Sequence, residues 1–346
     1  MHRNGWRLAV WLAVAIAVTT FVMAWVYDLP VRDPDSAVGP AYIWVPVVLL
    51  AAFLTDVVPR ALYRARNPLR VFGAAREIVR ERWTMTHVRF ALIGLAAWYV
   101  IYASFRNLKS FVPFVNRHLW DGVLEDVDRA LFFGHDPAEL LHDWLGTGAA
   151  AHFLSFIYLA WIVMVPASLV VALVWSRDAR AGAWYVTAIA VDWVLGVATY
   201  FAVPSLGPIY SRPEWFEDLE RTPVTGLAEG MMADRHAVLT NPMTTDAVQT
   251  IAAFASLHVG ISVTMVVMAG LLRLHRGVRI FLWVFLALTV VATIYLGWHY
   301  FLDAVGGVVL GVAGVWIAAK GTGNEMRRRP AEDQPLSLSD EPSRAA

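Results

Sequence analysis

Two histidines and one aspartate stand at spacings that could carry acid–base or nucleophilic chemistry. His258 opens an apolar run in Phe254-Ala255-Ser256-Leu257-His258-Val259-Gly260, and His299 lies in Gly297-Trp298-His299-Tyr300-Phe301-Leu302-Asp303. His299 and Asp303 are four residues apart, the spacing that places two side chains on one helix face. Asp303 can accept a hydrogen bond from one ring nitrogen, fix the tautomer, and leave the other nitrogen free as base, nucleophile or ligand. The two histidines are 41 residues apart, one apolar helix inward and one back, so both reach the same face at similar depth. A lone interfacial histidine is often only a hydrated surface group. A His–Asp pair beside a second histidine argues for chemistry. His2, His87 and His275 fall on the other side, and His118, His135, His142, His152 and His236 lack a positioned partner in sequence.

Phosphate chemistry at this face would need cations, and few are available there. Arg106 and Lys109, in Phe105-Arg106-Asn107-Leu108-Lys109, share one side of a helix, and Arg212 follows in Gly207-Pro208-Ile209-Tyr210-Ser211-Arg212-Pro213. Arg grips phosphate oxygens bidentately and Lys acts as a compact charge; the bland alternative is snorkelling to lipid headgroups. Asp303 continues through Gly307 and Gly311, a G-x-x-x-G row that lets helices approach closely and turns the carboxylate toward protein. Asp192, mid-span, reads as a structural hydrogen bond or ion pair.

These residues need elements that hold them in lipid. Of 346 residues 58% are apolar, 16% charged and 13% aromatic, and the mean hydropathy is +0.53. That composition excludes a disordered chain and argues against an ordinary cytosolic enzyme. With 28 basic and 28 acidic residues and no Cys, net charge does not speak for a nucleic-acid partner, and disulfides, thiol nucleophiles and zinc–thiolate sites are ruled out. A membrane helix takes roughly 20 apolar residues, and eight segments qualify: 8–25, 41–58, 88–105, 150–175, 183–203, 256–272, 278–296 and 300–319. The sixth is short and the last two nearly fuse, so seven is the nearest miscount. The first reads as an uncleaved anchor.

With the N-terminus inside, 20 of the 28 basic residues fall on one side of these spans, as the positive-inside rule expects. Both termini are therefore expected in the cytoplasm and the histidines at the extracytoplasmic face of the cell membrane. The fold class expected is an all-α integral membrane protein with interfacial amphipathic helices. Residues 1–87 would form two helices and an Arg-rich loop (59–87) lying on anionic lipid, 88–319 a six-helix unit, and 320–346 a disordered tail. In segment 106–148, Trp120, Val123, Leu124, Val127 and Leu131 recur at helical spacing, and Asp136-Pro137 starts a further helix. Segment 204–251 is long enough to be functional or disordered.

The Ser-x-His opening one helix, the His-x3-Asp opening a later one, and the Gly-rich continuation resemble the type 2 phosphatidic acid phosphatase superfamily over roughly 88–319. The resemblance implies a six-helix core and metal-free, cofactor-free phosphoryl transfer through a phosphohistidine. It makes His258 the acid, His299 the nucleophile, Asp303 its orienter and Ser256 a phosphate-binding residue. Departures are specific. Arg212-Pro213 fits the first motif but Ser205 stands at its Lys position, Ala255 replaces a Pro, and Ala292 and Thr293 replace Ser-Arg. Leu257 and the His-Tyr-x-x-Asp pattern look more like the inositol phosphorylceramide synthase branch, which transfers phosphoinositol between lipids, and Arg-Asn-Leu-Lys resembles that branch too. The partners implied are a lipid phosphate and a water or alcohol acceptor. Alternatives are plain dephosphorylation of a polyprenyl or glycerolipid phosphate, a transporter or lipid-binding protein without catalysis, and a metal held by the two histidines and Asp303.

Overall fold

The computed structural model describes residues 5–34, 41–65, 67–248, 251 and 253–326. Thirteen α-helices follow one another among them: α1 (Arg7–Val26), α2 (Ala41–Ala65), α3 (Val71–Arg82), α4 (Met85–Val115), α5 (Asp121–Leu131), α6 (Pro137–Leu145) and α7 (Ala149–Val170). After α7 come a π turn (Val171–Trp175), α8 (Ala179–Ala202), α9 (Pro208–Ser211), α10 (Pro223–Thr240), α11 (Leu257–Leu271), α12 (Arg276–Tyr295) and α13 (Phe301–Thr322). No described residue is in a strand.

Among the described residues seven helices are long and apolar enough to cross a membrane: α1, the Pro46–Ala65 part of α2, α4, α7 with its π turn, α8, α12 and α13. The remaining expected span, the sixth, is α11, which has only 15 residues, about 22 Å at 1.5 Å per residue. It packs against α13, α12 and α8 and is buried along nearly its whole length. Protein rather than lipid surrounds it, so it need not match the bilayer thickness. Large apolar side chains such as Trp11, Phe21, Val163, Trp283 and Val309 are exposed on the outer helix faces, as for a surface solvated by acyl chains. The chain is an all-α integral membrane protein.

Small residues set the central seam. A Cβ on Gly311 would lie 2.2 Å from the Gly260 carbonyl oxygen, and one on Gly307 2.5 Å from that of Ser256. The glycine row therefore brings the backbones of α11 and α13 into contact, and with them the segments bearing His258 and His299. Asp192 of α8 is fully buried and accepts the Thr264 hydroxyl at 2.7 Å, the structural bond expected of it.

Two expectations shift. Arg106 and Lys109 lie inside a 31-residue helix rather than at its end, because α4 continues to Val115. Residues 320–322, expected in the tail, belong to α13; the rest of that tail from 327 onward, like His2 and Arg3, lies outside the described residues. On α5 it is the acidic side that faces the protein. Its buried residues are Asp121, Leu124, Glu125 and Asp128, while Val123 and Leu131 are exposed. The expected N-cap of α6 is present, with Asp136 accepting the Ala138 amide at 2.8 Å and the Glu139 amide at 3.4 Å.

Candidate active site

Three helix starts converge on the two histidines. Ser256 is the N-cap of α11 and puts His258 in its first turn. The chain leaving α12 turns through Gly297, whose φ is +72°, and delivers His299 immediately before the Tyr300 N-cap of α13. Gly207, with φ +95°, lies against this turn; a Cβ there would stand 2.6 Å from the Trp298 carbonyl oxygen. Only a glycine meets both demands, a positive φ and a backbone at van der Waals range.

The expected triad is assembled. His299 Nδ1 is 3.1 Å from Asp303 Oδ2, and His258 Nδ1 is 3.3 Å from His299 Nε2. A carboxylate accepts only, so His299 carries its proton on Nδ1 and presents the lone pair of Nε2; His258 Nδ1–H then donates to that lone pair. Asp303 is fully buried and His299 nearly so. The Asp303 Oδ2 atom also accepts the Tyr300 amide at 3.0 Å.

The His258 ring is held by aromatic neighbours on α7: the Trp161 centroid is 4.3 Å away and the Tyr158 centroid 4.8 Å. Trp161 Nε1–H donates to the His258 carbonyl at 3.0 Å and to Ser262 Oγ at 3.1 Å. Tyr158 in turn stacks on Trp298 at 5.1 Å. These clamps escape a reading of the sequence, because nothing in α7 ties an aromatic pair to a histidine about a hundred residues later.

Both histidines face a cavity of about 540 Å³ whose wall includes Arg106, Lys109, Tyr158, Trp161 and Trp298. The lining contains no carboxylate. Lys109 interacts electrostatically with both histidines. Arg106 donates from Nη1 to the Tyr102 hydroxyl at 2.8 Å. The rest of the wall is largely aromatic and aliphatic, with Trp98, Trp193, Ile162 and Val165. The site thus offers a lone-pair nitrogen, a proton carrier, two cations and an apolar trough, the set needed for an anionic head on a hydrocarbon chain.

Two expected phosphate ligands are elsewhere. Arg212 is paired with Glu125, Nε–Oε2 2.9 Å and Nη2–Oε1 3.3 Å, and is absent from the cavity wall. Ser256 Oγ is buried and caps α11 through the Val259 amide at 3.4 Å. Thr293, where the resemblance would have a cation, is buried and bonds to the Val290 carbonyl at 3.0 Å. Positive charge therefore comes from α4, across the cavity.

The acids of α5 form the layer behind the site. Asp121 accepts the Leu206 and Gly207 amides at 3.0 and 2.9 Å and the Tyr300 hydroxyl at 3.2 Å. Asp128 accepts the Phe301 and Leu302 amides. Burial pushes both carboxyls up, Asp128 to about 6, against the pull of those amides. Their spacing with Glu125, every three or four residues, was a legible acidic stripe; the apolar stripe beside it masked its meaning.

Among the described residues no cluster of three or more His, Cys, Asp or Glu is arranged to hold a metal ion. Comparisons with curated proteins and with solved structures return no match. A family model described as PAP2 superfamily matches residues 123–317, which takes in α5, both histidines, Asp303 and the glycine seam. The chain belongs to the PAP2 superfamily.

Proposed function

We propose that this membrane protein transfers a phosphoryl or phosphodiester group of a lipid through a phosphohistidine on His299, at the extracytoplasmic face, without a metal. The observation that carries this reading is the hydrogen-bonded line His258–His299–Asp303 opening on a cavity with Arg106 and Lys109 on its wall. Membership of the superfamily supports phosphatase or phosphotransferase chemistry.

In this reading the substrate phosphorus enters between the two imidazoles and breaks their mutual contact. His299 Nε2 attacks phosphorus, and the bond to the leaving oxygen breaks as His258 gives that oxygen a proton. Asp303 holds the Nδ1–H and stabilises the positive ring that forms. Arg106 and Lys109 neutralise charge on the equatorial oxygens. An acceptor hydroxyl then returns a proton to His258 and attacks phosphorus, and the P–N bond breaks.

The acceptor is proposed to be an alcohol, with a phosphoinositol-type head the favoured cargo. Supporting this are the Leu257 and His-Tyr-x-x-Asp features and a cation set drawn from α4 in place of the one absent at Thr293. The test is product analysis with purified protein, offering phosphatidic acid, a polyprenyl phosphate and phosphatidylinositol with and without alcohol acceptors. A new phosphodiester lipid without free phosphate is expected, and inorganic phosphate as sole product would make the protein a phosphatase instead. His299→Ala is expected to abolish turnover and covalent labelling while leaving the fold intact; normal turnover in that variant ends the nucleophile assignment.

A further inference from the structure

The N-terminus of α13 is where His299 and Asp303 meet, and it carries more hydrogen-bond demand than Asp303 can meet alone. The first amides of a helix have no acceptor inside it. Here the Tyr300 amide goes to Asp303 Oδ2 at 3.0 Å, the oxygen that also faces His299 Nδ1. The next two amides are met from another element: Phe301 N–H by Asp128 Oδ2 at 2.5 Å and Leu302 N–H by Asp128 Oδ1 at 3.0 Å. The Asp303 amide returns to the Tyr300 carbonyl at 3.1 Å. Every donor of the turn is thereby accounted for, and Asp303 Oδ1 is left buried without a partner.

That distribution has a consequence for the nucleophile. Without Asp128, the Phe301 and Leu302 amides would be unpaired beside the Asp303 carboxylate. A buried unpaired donor is costly, and Asp303, whose Oδ1 has no partner, is the carboxylate carried by the same turn. Asp303 would rotate toward the helix axis and away from the imidazole. Asp128 itself lies outside the cavity wall.

We propose that Asp128 is a positioning residue for His299: by engaging the Phe301 and Leu302 amides it keeps the Asp303 carboxylate on His299 Nδ1. Its bearing on turnover rests on the nucleophile reading above; its bearing on geometry does not. Tyr300, tied by its hydroxyl to Asp121 and to Ser211 at 2.8 Å, fixes the same turn from its other side.

The test uses full-length protein in detergent carrying Asp128→Asn, in which one oxygen is kept and an NH2 group opposes an amide donor. The rate constant kcat and the single-turnover rate of phosphohistidine formation are expected to fall together by roughly 10- to 100-fold, as for a misplaced reacting group, with KM within two-fold of wild type. With 15N-labelled histidine, the Nδ1 proton resonance of His299, identified by its loss in His299→Ala, is expected to shift or broaden in Asp128→Asn. An unchanged resonance overturns the proposal, as does a raised KM at constant kcat. Asp128→Glu keeps both carboxylate oxygens and serves if the Asn variant does not fold. It is expected to hold the resonance nearer to the wild-type position than Asp128→Ala does, and equal displacement in both overturns the assignment. Turnover surviving in His299→Ala would instead sink the nucleophile reading, and the resonance would still decide the role of Asp128.

Discussion

At the residue scale the cations are separated by where they stand. Arg106 and Lys109 line the cavity beside the histidines, whereas Arg212 is held by Glu125 outside it. A preorganised charge aimed at the transferring group in a water-poor site contributes far more than one on the surface, and loss of one such donor costs about 10²–10³ in rate. Arg106→Gln and Lys109→Gln are each expected to lower kcat/KM on the cognate lipid by that order. Arg212→Gln disturbs only the strap behind the site and is expected to lose at least ten-fold less. Steady-state kinetics on the three variants decide it; equal losses in all three would return Arg212 to the phosphate.

At the element scale the geometry of the histidines depends on how closely α11 approaches α13. Gly311 carries that approach, since a Cβ there would stand 2.2 Å from the Gly260 carbonyl oxygen. Backbone cannot yield as a flexible side chain does, so Gly311→Ala has to push the helices apart. Overpacking of this kind costs about 1–3 kcal/mol, more than the helix propensity gained by replacing glycine. Displacing α11 also carries His258 away from His299. Gly311→Ala is therefore expected to lower both thermal stability and kcat. Gly270→Ala, on α11 with open space around it, is expected to do neither. Parallel melting curves and rates check the pair, and a wild-type Gly311→Ala would remove the seam from the account. The seam was legible because G-x-x-x-G has a period, as was the His299–Asp303 pair because i, i+4 is a local rule. Local rules fail where the partner is distant in sequence. The short span of α11 reflects burial by α8, α12 and α13, and the inward acidic side of α5 reflects amides in the 204–207 loop and α13. Neither set of neighbours is written within the segment itself. Arg212 misled for the same reason, since Glu125 reaches it from 87 positions away.

At the scale of the whole molecule, a second ionic centre lies at the opposite end of the bundle from the histidines. The α8 helix measures the separation. Its C-terminal turn reaches the site through the Thr199 hydroxyl, which accepts the Ala255 amide at 3.0 Å, and its 24 residues span about 36 Å. Beyond its N-terminal end, Arg177 donates to the Arg82 carbonyl at 3.0 Å. There the α2–α3 hairpin closes on Asp56, which is fully buried and accepts from Arg82 Nε and Nη2 at 2.9 and 2.8 Å and from Trp83 Nε1 at 3.1 Å. Arg60 adds an ion pair at 3.1 Å, and Arg82 also donates to the Trp175 carbonyl at 3.2 Å. The Arg-rich segment expected to lie on lipid is thus partly folded back and latched to the turn between α7 and α8. Removing one partner of a buried ion pair leaves the other charge uncompensated and costs about 3–5 kcal/mol. Asp56→Ala is expected to lower the stability by an amount of that order, read as a lower melting temperature, while kcat and KM stay at wild-type values, because no element linking Asp56 to His299 is broken. Loss of turnover in protein that remains folded would show instead that the hairpin and the histidines form one coupled unit.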